Sequence, residues 1–102
     1  MATLYKANGE TETVSPVSKK KFDVIELQEY VKGPFELLPA TCPHGDKMYL
    51  VMNEEGKIRD LPVNHRASAL YDLFGDATGI GWILGDVLLA LDSEIRGNYN
   101  ES

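Results

Sequence analysis

The chain has 102 residues, 43% of them hydrophobic and 25% charged, which fits one globular domain with a buried core and excludes wholesale disorder. Ten basic residues against sixteen acidic ones give a net charge of −6, which disfavours broad binding to nucleic-acid phosphates. A single cysteine, Cys42, excludes an internal disulfide framework and fits a reducing, cytoplasmic setting; no secretory leader pattern opens the chain, and no apolar run approaches the roughly 20 residues of a membrane span.

Taken in chain order, "TLYKANGETETV" predicts a β-hairpin, with Asn8-Gly9 the pair favoured in a two-residue type I′ turn. The polar "SPVSKKK" follows, and Pro16 discourages further strand pairing. Lys19, Lys20 and Lys21 form the one basic run, with no interleaved aromatics to stack on bases, and read as a solvated loop. A helix then starts at Asp23, an N-cap with Glu26 three residues on to complete a capping box. Phe22 and Leu27 stand where a hydrophobic staple would place them, and Val24, Leu27 and Val31 form a buried stripe. Lys32 lies in the last turn, Gly33 is suited to the left-handed position that ends a helix, and Pro34 prevents continuation.

"FELLPAT" predicts a strand and "CPHGD" a loop, before the nearly continuous apolar "KMYLVMN" of a central strand covered on both faces. "NEEG" reads as a hairpin turn with Gly56 in the left-handed position, "KIRDL" as the partner strand, and Pro62 as its end. Asn64 is the expected N-cap of a second helix, in which Ala67, Leu70, Tyr71 and Phe74 repeat at helical spacing before a stop at Gly75. "GIGWILGDVLLAL" predicts one kinked strand or two short ones, with a bulge or tight turn at Gly85-Asp86. The order ββ-α-β-ββ-α-β(β) specifies an α+β domain over residues 1–91, with a mainly antiparallel sheet of five to six strands and two helices. The polar residues 92–102 are expected to fray.

Three stretches resemble a known family. "LQEYVKGPFELL" looks like its helix, glycine and following strand. "LVMNEEGKIRDLPVNHRAS" is similar to its strand, its Asn-Glu-Glu-Gly turn and its Leu-Pro-x-Asn approach to the second helix. "GDVLLAL" resembles its closing strand. Over about Asp23 to Leu91 the chain thus resembles the domain of unknown function 3846, a family of small bacterial proteins associated with phages and mobile elements. Lys32 departs from the smaller residue commoner before the glycine. The resemblance implies an accessory protein and carries no reaction, cofactor or catalytic residue.

Several clusters could hold chemistry. Cys42, His44 and Asp46 share one loop, but a rigid metal site wants about four ligands, and a catalytic thiol and its base usually come from different elements. Gly79, Gly81 and Gly85 miss the dinucleotide fingerprint by one residue and lack its strand-loop-helix setting. Glu54 and Glu55 would point apart at a turn. No catalytic constellation, metal site or cofactor is assigned.

The candidate ligand-binding residues are Asn64, His65 and Arg66, because a helix start offers free amides to an anion and Arg66 could grip it. Trp82 is a candidate interface residue. Two functions follow. One is a non-catalytic module that binds a protein, or a second copy of itself through a sheet edge. The other is a binder of a small anion, such as a nucleotide, at the second helix.

Overall fold

A computed structural model describes residues 1–18, 20–76 and 81–95. The elements are β1 (Ala2–Tyr5), β2 (Thr11–Val14), α1 (Val24–Val31), β3 (Phe35–Thr41), β4 (Lys47–Asn53), α2 (His65–Phe74), β5 (Val87–Leu91) and α3 (Asp92–Ile95). They form an α+β fold with one antiparallel five-stranded sheet in the order β2-β1-β5-β4-β3. Two hairpins are thus joined by the last strand, which slots between β1 and β4.

Period-two alternation puts neighbouring residues of the central strands on opposite faces. Val51, Leu88 and Ala90 pack with Leu27 and Val31 of α1 and Ile95 of α3. Leu50 and Val87 face the other way, onto Ala67 and Tyr71 of α2 and onto Ile83. The sheet is therefore covered on both faces, which explains the unbroken apolar run in β4. No helix among the described residues is long and apolar enough to cross a membrane.

Helix α1 begins as its sequence specifies. The Asp23 carboxylate accepts from the Glu26 amide at 2.8 Å, and Glu26 accepts from the Asp23 amide at 3.1 Å. Phe22 and Leu27 are both fully buried. The stripe differs at Val24, which is 42% exposed while Phe22, just outside the helix, fills the same core. At the other end the left-handed residue is Lys32 (φ 65°) rather than Gly33. Gly33 follows at φ 158°, outside the left-handed helical position, and it also needs the room: a Cβ there would lie 2.8 Å from both Arg59 Nη1 and Asn53 Nδ2.

Those two side chains finish the helix. Asn53 Nδ2 donates to the Val31 carbonyl at 3.0 Å, and Arg59 Nη1 donates to the Lys32 carbonyl at 2.7 Å. Both groups belong to the stretch that the sequence reads as a hairpin and partner strand, and that reading is corrected. Residues 54–60 are a run of turns, with the Arg59 amide donating to Glu55 and the Leu61 amide to Gly56. Both edges of β4 are already taken by β3 and β5, so "KIRDL" has no strand to pair with. Ile58 is left 87% exposed. Gly56 does not take a positive φ; it is buried, and a Cβ would lie 3.1 Å from that of Leu84.

The first hairpin also corrects its expected turn. Lys6 N donates to Glu10 O and Gly9 N to Lys6 O, so the loop is Ala7-Asn8-Gly9 with only Gly9 at positive φ. The β3–β4 connection repeats the pattern, from Cys42 N to Asp46 O and Gly45 N to Cys42 O, with Gly45 at φ 94°. These are three-residue loops closed by a left-handed glycine.

Helix α2 ends at Gly75, again for space rather than conformation. Its φ is −69°, and a Cβ would meet the Tyr71 ring and carbonyl at 2.5 Å. The chain then runs against the outer edge of β3, through a bridge between Ala40 and Gly75 and a bond from Asp76 N to Pro39 O. Asp92–Ile95 form a short helix rather than the start of a frayed tail. Ile95 is fully buried, and Glu94 accepts from the Leu91 amide at 3.1 Å and lies 2.8 Å from the Met1 ammonium. Residues 96–102, like Lys19 and Gly79, lie outside the described residues.

Candidate functional site

Asn64 is a buried junction. Its Oδ1 accepts from the Ala67 amide at 3.0 Å, which makes it the N-cap of α2. Its Nδ2 donates to the carbonyls of Tyr5 and Gly85, each at 2.8 Å, and its backbone amide donates to Ile83 O. Both side-chain hydrogens are thus spent on the fold, and none remains for an anion. Arg66 is exposed on the first turn. Of the three residues, His65 lines an open hollow.

The segment after Gly81 decides where Trp82 points. Gly81 takes φ 78°, Ser68 Oγ accepts from the Ile83 amide at 2.9 Å, and Ser68 also donates to the Ile83 carbonyl at 3.4 Å. The Ile83 side chain is fully buried, so alternation turns Trp82 outward, where it is 62% exposed. The His65 imidazole meets the indole nearly at right angles, with ring centroids 5.7 Å apart. The fold therefore unites two of the sequence candidates, His65 and Trp82.

Trp82 separates two open hollows. One, of about 530 Å³, is bounded by His65, Ser68, Ala69 and Asp72 of α2 together with Gly81 and Trp82. The other, of about 330 Å³, includes Glu36, Met52, Glu54, Lys57 and Leu84. Sequence reasoning missed Asp72. Its signal was available, since His65, Ser68, Ala69 and Asp72 stand at i, i+3, i+4 and i+7 and so share a second helical face. Glu36 and Met52 carried no such signal, because strand pairing brings them there.

Ser68, His65 and Asp72 in one hollow invite comparison with a hydrolytic triad. The Ser68 hydroxyl is engaged by the Ile83 backbone, and no hydrogen bond joins any two of the three. Cys42, His44 and Asp46 are spread around the β3–β4 loop. Among the described residues no three His, Cys, Asp or Glu side chains gather as a metal site would need.

A family model described as "Domain of unknown function (DUF3846)" matches residues 3–100. Comparison with curated proteins and with solved structures returns no match. The match spans both hairpins, both longer helices and the Asn53, Asn64 and Trp82 positions described above, and the chain belongs to the DUF3846 family.

Proposed function

We propose that the chain is a non-catalytic protein-binding module, an accessory factor of phage or mobile-element type, whose partner docks over Trp82. One observation carries this reading: a large aromatic held outward between two hollows by a backbone clipped to α2 through Ser68. A rigid, exposed tryptophan loses little entropy on binding and buries a large apolar area, which is why such residues dominate binding energy at interfaces. The engaged Ser68 hydroxyl and the lack of any hydrogen bond among Ser68, His65 and Asp72 support a role without catalysis.

The test is capture of partners from a bacterial host lysate by the tagged chain, its Trp82→Ala variant and a Val17→Ala control, Val17 being an exposed apolar residue barer still, at 82% exposure. A partner held by the wild type and the control but lost with Trp82→Ala is the expected result. All three proteins should melt within about 0.5 kcal/mol of one another, since exposed positions contribute little to stability. The same captured set with and without Trp82 would overturn the reading.

A further inference from the structure

We infer that the group recognised at Trp82 is an arginine side chain on a basic segment of the partner. This rests on the reading above and assigns the chemistry of the same surface. Asp72 faces one hollow beside the indole, and Glu36 and Glu54 face the other. Among the described residues that line the two hollows, Lys57 is the one lysine or arginine, which leaves two carboxylates in excess around the ring (Asp72, Glu36 and Glu54 against Lys57). The side chains of Asp72, Glu36 and Glu54 make no hydrogen bond or ion pair with the described residues.

The choice of occupant follows from what covering this surface would cost. An apolar helix laid on Trp82 would strip water from the carboxylates and return nothing to them, and burying an unpaired charge is strongly unfavourable. An anion would add repulsion. A cation placed over the indole gains from the negative face of the ring and neutralises a carboxylate in the same movement. Arginine suits the site better than lysine, because its planar guanidinium can stack on the indole while donating two parallel hydrogen bonds to one carboxylate. His65, nearly perpendicular to the indole, stands against one part of it and leaves most of the ring open.

The single tryptophan of the chain makes the site its own reporter. The experiment titrates the full chain with a glycine- and serine-based peptide carrying arginines, and with the same peptide carrying neutral citrulline, while Trp82 emission is followed. Wild type, Asp72→Asn and Glu29→Gln are compared; Glu29 lies on α1, across the sheet, and its substitution removes the same charge far from the indole. Saturable binding of the arginine peptide, at least about fivefold tighter than the citrulline peptide and weakened about threefold by Asp72→Asn, is the expected result on the scale of exposed cation–π and ion-pair contacts. Glu29→Gln should leave it unchanged.

Equal affinity for the two peptides, no saturable change with either, or equal losses in the two variants would overturn the inference, the last because bulk charge would then explain the binding. These outcomes are separable from failure of the binding module itself. A partner captured through Trp82 but indifferent to Asp72→Asn sinks the arginine assignment alone.

Discussion

The side-chain amide of Asn64 donates to the carbonyl of Gly85 at 2.8 Å, and through that bond the start of α2 is fastened to the bend that leads into β5. The other amide hydrogen reaches Tyr5 at the end of β1. Loss of the cap costs about 1 kcal/mol, and each buried carbonyl left without a donor adds about 1–3 kcal/mol. Asn64→Ala should therefore destabilise the chain by about 3 kcal/mol or more, a fall in Tm of roughly 10–20 °C for a domain of this size. Asn64→Asp keeps the capping acceptor and loses both donors, so thermal denaturation should place it close to the alanine variant. Near wild-type stability for Asn64→Asp would show that the cap alone matters.

Asn53 and Arg59 close the other helix, with different weights. Asn53 is buried, accepts from the Glu55 amide at 2.7 Å and donates to Val31, whereas the bond from Arg59 to Lys32 lies in the open. Asn53→Ala should cost about 2–3 kcal/mol and Arg59→Ala under about 1 kcal/mol in urea titrations, since only the first leaves buried groups unpaired. A larger loss from Arg59→Ala would contradict this ordering.

Gly75 and Gly45 should fail for opposite reasons when changed to alanine. At Gly75 the backbone is ordinary, but the new methyl would stand 2.5 Å from the Tyr71 ring, and overpacking of this kind costs about 1–3 kcal/mol. At Gly45 there is open space, and the cost of about 1 kcal/mol comes from φ 94°. Tyr71→Leu, which removes the clashing ring atoms, should offset part of the Gly75→Ala loss and none of the Gly45→Ala loss. Additive effects at Gly75 and Tyr71 would refute the ring as the source of the clash and leave the Tyr71 carbonyl, equally close at 2.5 Å.

Tyr30 gives a pH signature. Its phenol is held above the ordinary value of 10.0, first by burial and then by the charges of Glu26, Glu12 and Glu29. A folded-state value above the unfolded one favours the neutral phenol, so this contribution is complete below pH 10.0 and is lost as the pH rises through the folded value. Denaturation midpoints followed into alkali should fall less steeply for Tyr30→Phe than for the wild type. Parallel curves would count against the shift.

Much of this was readable locally. Asp23, Glu26, Phe22 and Leu27 announce the start of α1 within a span of six residues, and Asn64 announces α2 in the same way, because caps and staples are bonds between near neighbours. "KIRDL" misled because strand propensity says only that a segment suits a sheet. Whether a partner is free depends on β5, which arrives some thirty residues later and takes the remaining edge of β4. At the candidate site, Trp82 and His65 stood out as residue types, while Asp72 and Glu36 did not, and Glu54 drew notice only beside Glu55 as a carboxylate pair at a turn.

By itself the sequence determined the α+β class, both longer helices with their N-caps, and the strands at β3, β4 and β5, since each is written in periodicity and capping chemistry over a few turns or a single strand. Tertiary structure decided which strand lies beside which, what the second amide hydrogen of Asn64 holds, and why Gly33 and Gly75 must lack a side chain. It also decided that an exposed indole stands between carboxylates from α2, from β3 and from the turn after β4. Those relations join residues far apart in the chain, and such contacts are fixed by the packing of whole elements on both faces of the sheet rather than by any neighbour in sequence.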